Sequence, residues 1–219
     1  MSMALSIRDL AVGAGGRVLV AVPALDLPAG SLTAIRGPSG AGKTTLLHAL
    51  AGLVAATGRL DWGATDLARL SQAQRTRFRG QHIGMIFQDF LLFEELSARD
   101  NALVASAFRS DRAALAPRVD ALMARFGVAD LAARRADLLS GGERQRIAVV
   151  RALAHDPAIL LADEPTASLD RATADRLIRD LARHAREDGR TVMMVSHDEH
   201  VWDAMDHVLT IRDGQLVQA

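Results

Sequence analysis

Gly37-Pro38-Ser39-Gly40-Ala41-Gly42-Lys43-Thr44 is the stretch on which the reading of this chain turns. It spells glycine, four residues, then Gly-Lys-Thr, a pattern whose backbone N–H groups cradle phosphate and whose Thr hydroxyl is placed to hold Mg²⁺. Lys43 is the only lysine among 26 basic residues. A slim ammonium can enter a nest of N–H groups and touch two phosphates as a point charge, where the planar arginine fork is too wide. The flanks agree. Ser31 to Arg36 reads as a short apolar strand, and Thr44, Thr45 and the residues to Ala51 read as a helix stopped by Gly52. Gly37, Gly40 and Gly42 allow positive φ, so the backbone can approach phosphate while the first N–H groups of the helix face the anion. Strand, loop and helix in this order imply a bound nucleoside triphosphate.

At 219 residues and 49% hydrophobic, the chain can bury the core of one domain and is short for two. Twenty-six basic and 26 acidic residues cancel, so no net charge draws it to nucleic acid or anionic lipid. The absence of cysteine excludes disulfides and thiolate metal sites. No apolar run approaches the length of a membrane span, and Arg8 and Asp9 interrupt the first ten residues where a secretory signal would need an apolar stretch. These features, with the use of ATP, lead to the expectation of a cytoplasmic enzyme.

A second glycine-flanked helix start follows. Leu139-Ser140-Gly141-Gly142-Glu143 opens an apolar helix running to about His155, and Ser140 and Glu143 have the spacing of a capping box. Read locally, this is either a plain cap or a second anion-binding helix end, because two glycines keep side chains away from its first N–H groups.

With this string the chain resembles the ATP-binding cassette (ABC) ATPases. The other motifs of that family follow in order: Gln88 in Gly84-Met85-Ile86-Phe87-Gln88-Asp89, the Leu-Ser-Gly-Gly-Glu signature, Ile159 to Pro165, Ser168-Leu169-Asp170, and His197 in Val195-Ser196-His197-Asp198. The resemblance spans nearly the whole chain. It implies an α/β P-loop NTPase fold with a mainly parallel core sheet flanked by helices, an N-terminal antiparallel β subdomain and an inserted helical subdomain at about residues 89–155. It implies ATP and Mg²⁺ as cofactors, with Gly37, Pro38, Ser39, Gly40, Ala41, Gly42, Lys43, Thr44, Thr45 and Gln88 on the nucleotide. Thr44, Gln88 and Asp163 would face the metal. Ser168, Leu169 and Asp170 would form the dimer-contacting loop.

The residues themselves support several of these roles. Ile159 to Ala162 reads as a buried parallel strand delivering Asp163 and Glu164 at its carboxyl end, where open α/β sheets bind ligands. Neighbouring strand residues point in opposite directions, so Asp163 can support the Mg²⁺ shell while Glu164 polarises water. The resemblance makes Glu164 the general base. Arg190 to Ser196 reads as a second buried strand ending at His197, which the resemblance places on the γ-phosphate and beside Glu164. Ser196, His197 and Asp198 cannot form a hydrolytic triad, since consecutive side chains do not converge. His197 with His200 lacks further metal ligands. His48, His82, His155, His184, His200 and His207 are expected to be structural or superficial.

Ala174, Leu177, Ile178, Leu181 and Ala185 recur at helical spacing before Gly189, a core-packing stripe. Between Gln88 and Ser140, Pro117 is expected to open a helix with Val119, Leu122, Met123 and Phe126 on one face, closed by Gly127. Phe87, Phe90, Leu91, Leu92 and Phe93 are either a contact surface for a membrane protein or core.

In the family the phosphate loop and the signature of one chain lie too far apart to grip one ATP, which implies a head-to-tail homodimer or pseudo-symmetric pair. The signature residues Leu139, Ser140, Gly141, Gly142 and Glu143 would act in trans. Integral membrane permease subunits are the expected partners and the cytoplasmic face of the inner membrane the expected location, with no nucleic acid bound. Only residues 89–139 separate Gln88 from Ser140, which excludes the long coiled-coil insertion of chromosome-organising relatives. An ATPase regulating a cell-division or cell-wall membrane partner, without transport, is the alternative.

The segment from Leu70 to Asn101, with Arg77 to Gly84 before Phe87-Gln88-Asp89-Phe90, looks like the bacterial lipoprotein-release and macrolide-export group. That group usually has Gly-Asn where Ala167-Ser168 stands, and a proline-containing turn where Phe93-Glu94-Glu95 stands. A further departure is the base site. Leu10 to Val20 carries no aromatic residue to stack on adenine. A stacked base is worth about 1 to 3 kcal/mol, so affinity is expected to fall about 5- to 150-fold with poor base selectivity.

Overall fold

The computed structural model describes residues 2–104, 112–167 and 169–218. Its centre is a run of parallel strands: β3 (Leu32–Arg36), β6 (Ile83–Ile86), β7 (Ile159–Asp163), β8 (Thr191–Val195) and β9 (His207–Arg212). They pair in the order β9-β3-β8-β7-β6 with every neighbour parallel. Strands β7 and β8 are buried along their whole length, as the apolar runs Ile159 to Ala162 and Val192 to Val195 require in a sheet covered on both faces.

Alternation along these strands feeds two cores. Leu160, Ala162, Val192 and Met194 face one apolar cluster, and Ile159, Leu161, Met193 and Val195 face the other. The second cluster is completed by α1 (Lys43–Leu50) and by the antiparallel strands β1 (Leu5–Ala14), β2 (Arg17–Leu27) and β4 (Thr57–Trp62), with the short β5 (Thr65–Asp66) pairing on β4. Trp62 is fully buried there and its indole N–H donates to the Leu50 carbonyl at 2.9 Å, fastening β4 to the end of α1.

The antiparallel strands and the parallel strands form one continuous sheet. Strand β10 (Gln215–Gln218) is antiparallel to β9 and reaches β2 through the parallel pair Gln215 and Ala21, giving the order β5-β4-β1-β2-β10-β9-β3-β8-β7-β6. The expected mainly parallel core with an antiparallel N-terminal portion is therefore present, joined edge to edge.

The first cluster lies under α3 (Ala98–Leu103), α4 (Arg112–Arg125), α5 (Gly141–Leu153) and α6 (Arg171–Glu187), with α3, α4 and α5 packed on one another. The α6 stripe Ala174, Leu177, Ile178, Leu181 and Ala185 is buried as its spacing predicts. Helix α4 buries Val119, Leu122, Met123 and Phe126 as expected, but it begins at Arg112 and carries Pro117 inside it. The proline therefore does not open the helix. Burial of Leu115 and Val119 on either side holds helical geometry through the one missing N–H. Helix α2 (Gln72–His82) precedes β6 and starts in a Ser71–Gln74 capping box, and a short α7 (Glu199–Asp203) lies between β8 and β9. Among the described residues no helix is long and apolar enough to cross a membrane.

Candidate functional site

The carboxyl ends of β3, β7 and β8 open on one cavity of about 400 Å³, lined by Leu19, Ser39, Gly40, Gly42, Lys43, Thr44, Thr45, Gln88, Glu164, Ala167, Val195 and His197. Of the residues expected to form the site, Ser39, Gly40, Gly42, Lys43, Thr44, Thr45, Gln88, Glu164 and His197 meet here, whereas Gly37, Pro38, Ala41 and Asp163 do not line the cavity. None of the other histidines does.

The loop between β3 and α1 can exist only with glycine at two places. A Cβ on Gly37, at φ 151°, would lie 2.0 Å from the Ile211 carbonyl oxygen. Gly42, at φ 99°, is the residue before α1, and its missing side chain leaves the helix start without a side-chain cap. The first N–H groups of α1 are thus left for an anion. Lys43 is 7% exposed, and its ammonium donates to the Gly37 and Pro38 carbonyls at 2.9 Å each. Those two bonds hold the cation beside the loop, at the place a phosphate oxygen would claim. Ala41 is buried beneath the loop, and the Thr44 side chain is exposed.

Asp163 and Glu164 part company, though not by strand alternation. Strand β7 ends at Asp163, and Glu164 turns into a left-handed conformation, φ 46°, with its N–H donating to the Val195 carbonyl at 3.0 Å. Asp163 stays 5% exposed with its Oδ1 unpartnered, an orphaned carboxyl oxygen. The turn swings Glu164 into the cavity. Its Oε1 lies 3.0 Å from His197 Nε2. Burial pushes the Glu164 carboxyl above the usual range, Asp163 adds to the rise, and His197 and Lys43 oppose it. A carboxylate so tuned is a better proton acceptor than an exposed one.

The signature segment is elsewhere. Ser140 caps α5, its hydroxyl accepting from the Glu143 N–H at 3.3 Å while Glu143 Oε2 accepts from the Ser140 N–H at 2.7 Å. That backbone bond is the main cause holding the Glu143 carboxyl below its usual range. The capping box is real, and Gly141 is exposed beside it. Leu139 is buried. None of the residues 139–143 lines the cavity. Leu169 lies against Gly142, with 3.5 Å between Leu169 Cδ2 and the point where a Gly142 Cβ would stand. Asp170 caps α6, accepting from the Thr173 N–H at 3.1 Å. Ser168 lies outside the described residues.

The apolar cluster after Gln88 divides. Leu91 and Phe93 are 54% and 53% exposed, whereas Phe87, Phe90 and Leu92 are partly buried and Leu92 packs on the core. Two features escaped sequence reasoning. Leu19 lines the cavity from within the stretch that offers no aromatic residue, and only the return of β2 past the phosphate loop could reveal it. Asn101, wholly buried in α3, grips the Phe93 to Ser97 turn, accepting from the Phe93 N–H at 2.7 Å and donating to the Phe93 carbonyl at 2.9 Å.

The profile of the ABC transporter family matches residues 22–167. The chain is 42% identical over 198 residues to the lipoprotein-releasing system ATP-binding protein LolD of Ruegeria sp., covering 89% of this chain and 86% of that protein. It is 38% identical over 195 residues to the macrolide export ATP-binding/permease protein MacB of Bradyrhizobium diazoefficiens, covering 88% of this chain but 30% of that one. Both groups expected from the segment Leu70 to Asn101 are thus represented. A dimeric post-hydrolysis structure of the ATP-binding cassette MJ0796 bound to ADP and Pi superposes with a TM-score of 0.84 at 28% identity, covering 98% of this chain and 97% of that one. A cavity floored by the phosphate loop and walled by Glu164, Gln88 and His197, carried on a fold and sequence shared with these proteins, places the chain in the ABC transporter family, as an ATP-hydrolysing cassette of the kind that powers membrane transport.

Proposed function

We propose that two copies of the chain, or one copy and a related cassette, close head to tail around ATP and drive a membrane permease. The observation that carries this reading is the separation of two phosphate-seeking helix starts. The α1 start belongs to the cavity, and the Ser140-capped α5 start contributes nothing to it. A second chain would bring its own Ser140, Gly141 and Gly142 to the triphosphate held by Lys43 of the first. The dimeric form of the MJ0796 cassette supports this arrangement.

Thr44, Gln88 and Asp163 are the protein groups that fit Mg²⁺. An exposed hydroxyl beside the phosphate loop, an amide on the cavity wall and a buried carboxylate with one orphaned oxygen are hard oxygen donors, few enough to leave room for phosphate and water. When bound, the ion neutralises phosphate charge. Glu164 takes the proton of the attacking water, and His197 holds Glu164 in place and meets the γ-phosphate. Lys43 exchanges its two carbonyl partners for phosphate oxygens.

The permease partner is supported by the MacB relative, whose name joins ATP-binding to permease. Exposed Leu91 and Phe93, close in sequence to Gln88, supply an apolar contact for it, carried with the helical segment at about residues 89–155. With such a partner the chain would work at the cytoplasmic face of the inner membrane.

Gly142→Asp tests the trans assignment. A Cβ there meets its nearest neighbours, Leu169 Cδ2 and Thr173 Cγ2, at ordinary contact distance, and circular dichroism of the variant checks that the fold is kept. Fluorescent-nucleotide binding by the monomer is expected to stay within about 3-fold of wild type, while ATP-dependent dimerisation and turnover are lost to like-charge repulsion. Unchanged turnover would remove the signature from the site.

A further inference from the structure

The loop after Gln88 is bent in a way its own sequence does not explain. Phe90 and Leu91 both have left-handed backbones, φ 57° and 49°, a conformation bulky residues rarely adopt. One guanidinium holds both. Arg151 Nη2 donates to the Phe90 carbonyl at 2.5 Å, and Nη1 donates to the Leu91 carbonyl. Arg151 stands in the last turn of α5, the helix whose first turn is capped by Ser140.

The surroundings of Arg151 say what it is for. Among the described residues no carboxylate forms an ion pair with it, and burial alone lowers its pKa. A desolvated guanidinium with no acid partner, spending both arms on the carbonyls of a strained turn, holds a shape instead of balancing a charge. On the far side of the turn, Asn101 fixes Phe93 through its N–H and carbonyl together. The segment from Phe90 to Phe93 is therefore clamped from two helices, and Gln88 projects from its start into the cavity.

We infer that Arg151 is a positioning residue for ATP hydrolysis, which keeps Gln88 facing the cavity and ties it rigidly to the helix that starts at Ser140. The inference rests on the roles proposed above for Gln88 and for the α5 start. At 1.5 Å per residue α5 is a rod of about 20 Å. That rod joins the Ser140 cap at one end of α5 to the Arg151 clamp on the loop after Gln88 at the other. The sequence shows only an arginine in an apolar helix.

The test is a cycle of Arg151→Met, Gln88→Ala and the double variant, with Arg151→Lys as the conservative change, all in the full chain. Hydrolysis is measured at saturating ATP against MgCl₂ concentration, and ATP binding is measured in EDTA. Arg151→Met is expected to lower kcat about 10-fold or more and to raise the Mg²⁺ concentration for half-maximal rate several-fold. Metal-free ATP binding should stay within about 3-fold, because the phosphate loop is untouched, and lysine should restore part of the rate. In the Gln88→Ala background the same change should cost no more than about 2-fold further, because the two residues act as one unit. A merely structural arginine would lower both backgrounds equally, and that multiplicative result overturns the inference, as does unchanged kcat in Arg151→Met. If Arg151→Met does not fold, the cycle with lysine decides by the same criterion. A wild-type chain with no Mg²⁺-dependent hydrolysis would instead sink the reading of the site itself, which keeps the two failures apart.

Discussion

Glu164→Gln isolates the chemical step from everything else the site does. The substitution keeps the shape of a side chain that is 15% exposed and whose Oε1 lies 3.0 Å from His197 Nε2, so an amide oxygen can accept from the same ring nitrogen. It leaves Lys43 and the phosphate loop alone, and it removes the one group in the cavity whose burial has tuned it to take a proton. General bases contribute about 10² to 10⁴ in rate, or about 2.7 to 5.4 kcal/mol of barrier, and turnover should fall by that factor. ATP affinity should change less than about 3-fold, and stability should hold or rise, since a buried carboxyl with a raised pKa is replaced by a neutral amide. ATP-saturated variant should accumulate as a dimer, because nucleotide that stabilises the closed pair is no longer consumed. Glu164→Asp is the geometric control. It keeps the charge but withdraws the carboxylate by about one C–C bond, about 1.5 Å, far enough to break the contact with His197. Single-turnover hydrolysis followed by phosphate release, with light scattering on the same samples, measures both effects. Turnover of Glu164→Gln within about 3-fold of wild type would refute the assignment of the base.

Further outcomes follow from particular contacts. Leu19→Tyr sets a ring on the cavity wall and should tighten ATP binding about 5- to 150-fold with new preference over GTP, read by equilibrium dialysis; equal affinities would show that the base does not lie on β2. The acid limb of kcat should lie above the ordinary carboxylate range, because Glu164 must be ionised to act and its pKa is raised, and His197→Ala should move that limb higher still by removing a group that holds the pKa down. For stability the sign runs the other way: the penalty of burying the Glu164 carboxylate is absent below the unfolded-state value and grows as pH rises through the raised one, so Glu164→Gln should gain most over wild type on the alkaline side in urea titrations. Gly37→Ala should cost about 1 to 3 kcal/mol or more, since its Cβ would stand 2.0 Å from the Ile211 carbonyl oxygen and must push β9 from β3; a thermal midpoint equal to wild type would contradict that close approach.

What the sequence determined by itself is the part written in consecutive residues. The phosphate loop between a short apolar strand and a helix, the all-apolar runs of β7 and β8, the Ser140–Glu143 cap and the α6 stripe each depend on neighbours within a turn or two, where backbone geometry leaves few choices. The remaining features depend on contacts between segments far apart in the chain. Helix α4 runs through Pro117 because burial on either side outweighs a local stop signal, and Glu164 enters the cavity through a left-handed turn instead of a strand face. Leu19 lines the cavity because β2 returns past the phosphate loop, and Arg151 reaches back some sixty residues to the carbonyls of Phe90 and Leu91. The physical reason is the same in each case. Short-range pattern fixes which conformations are cheap, but the choice among them is made by desolvation and contact with residues that no local window contains.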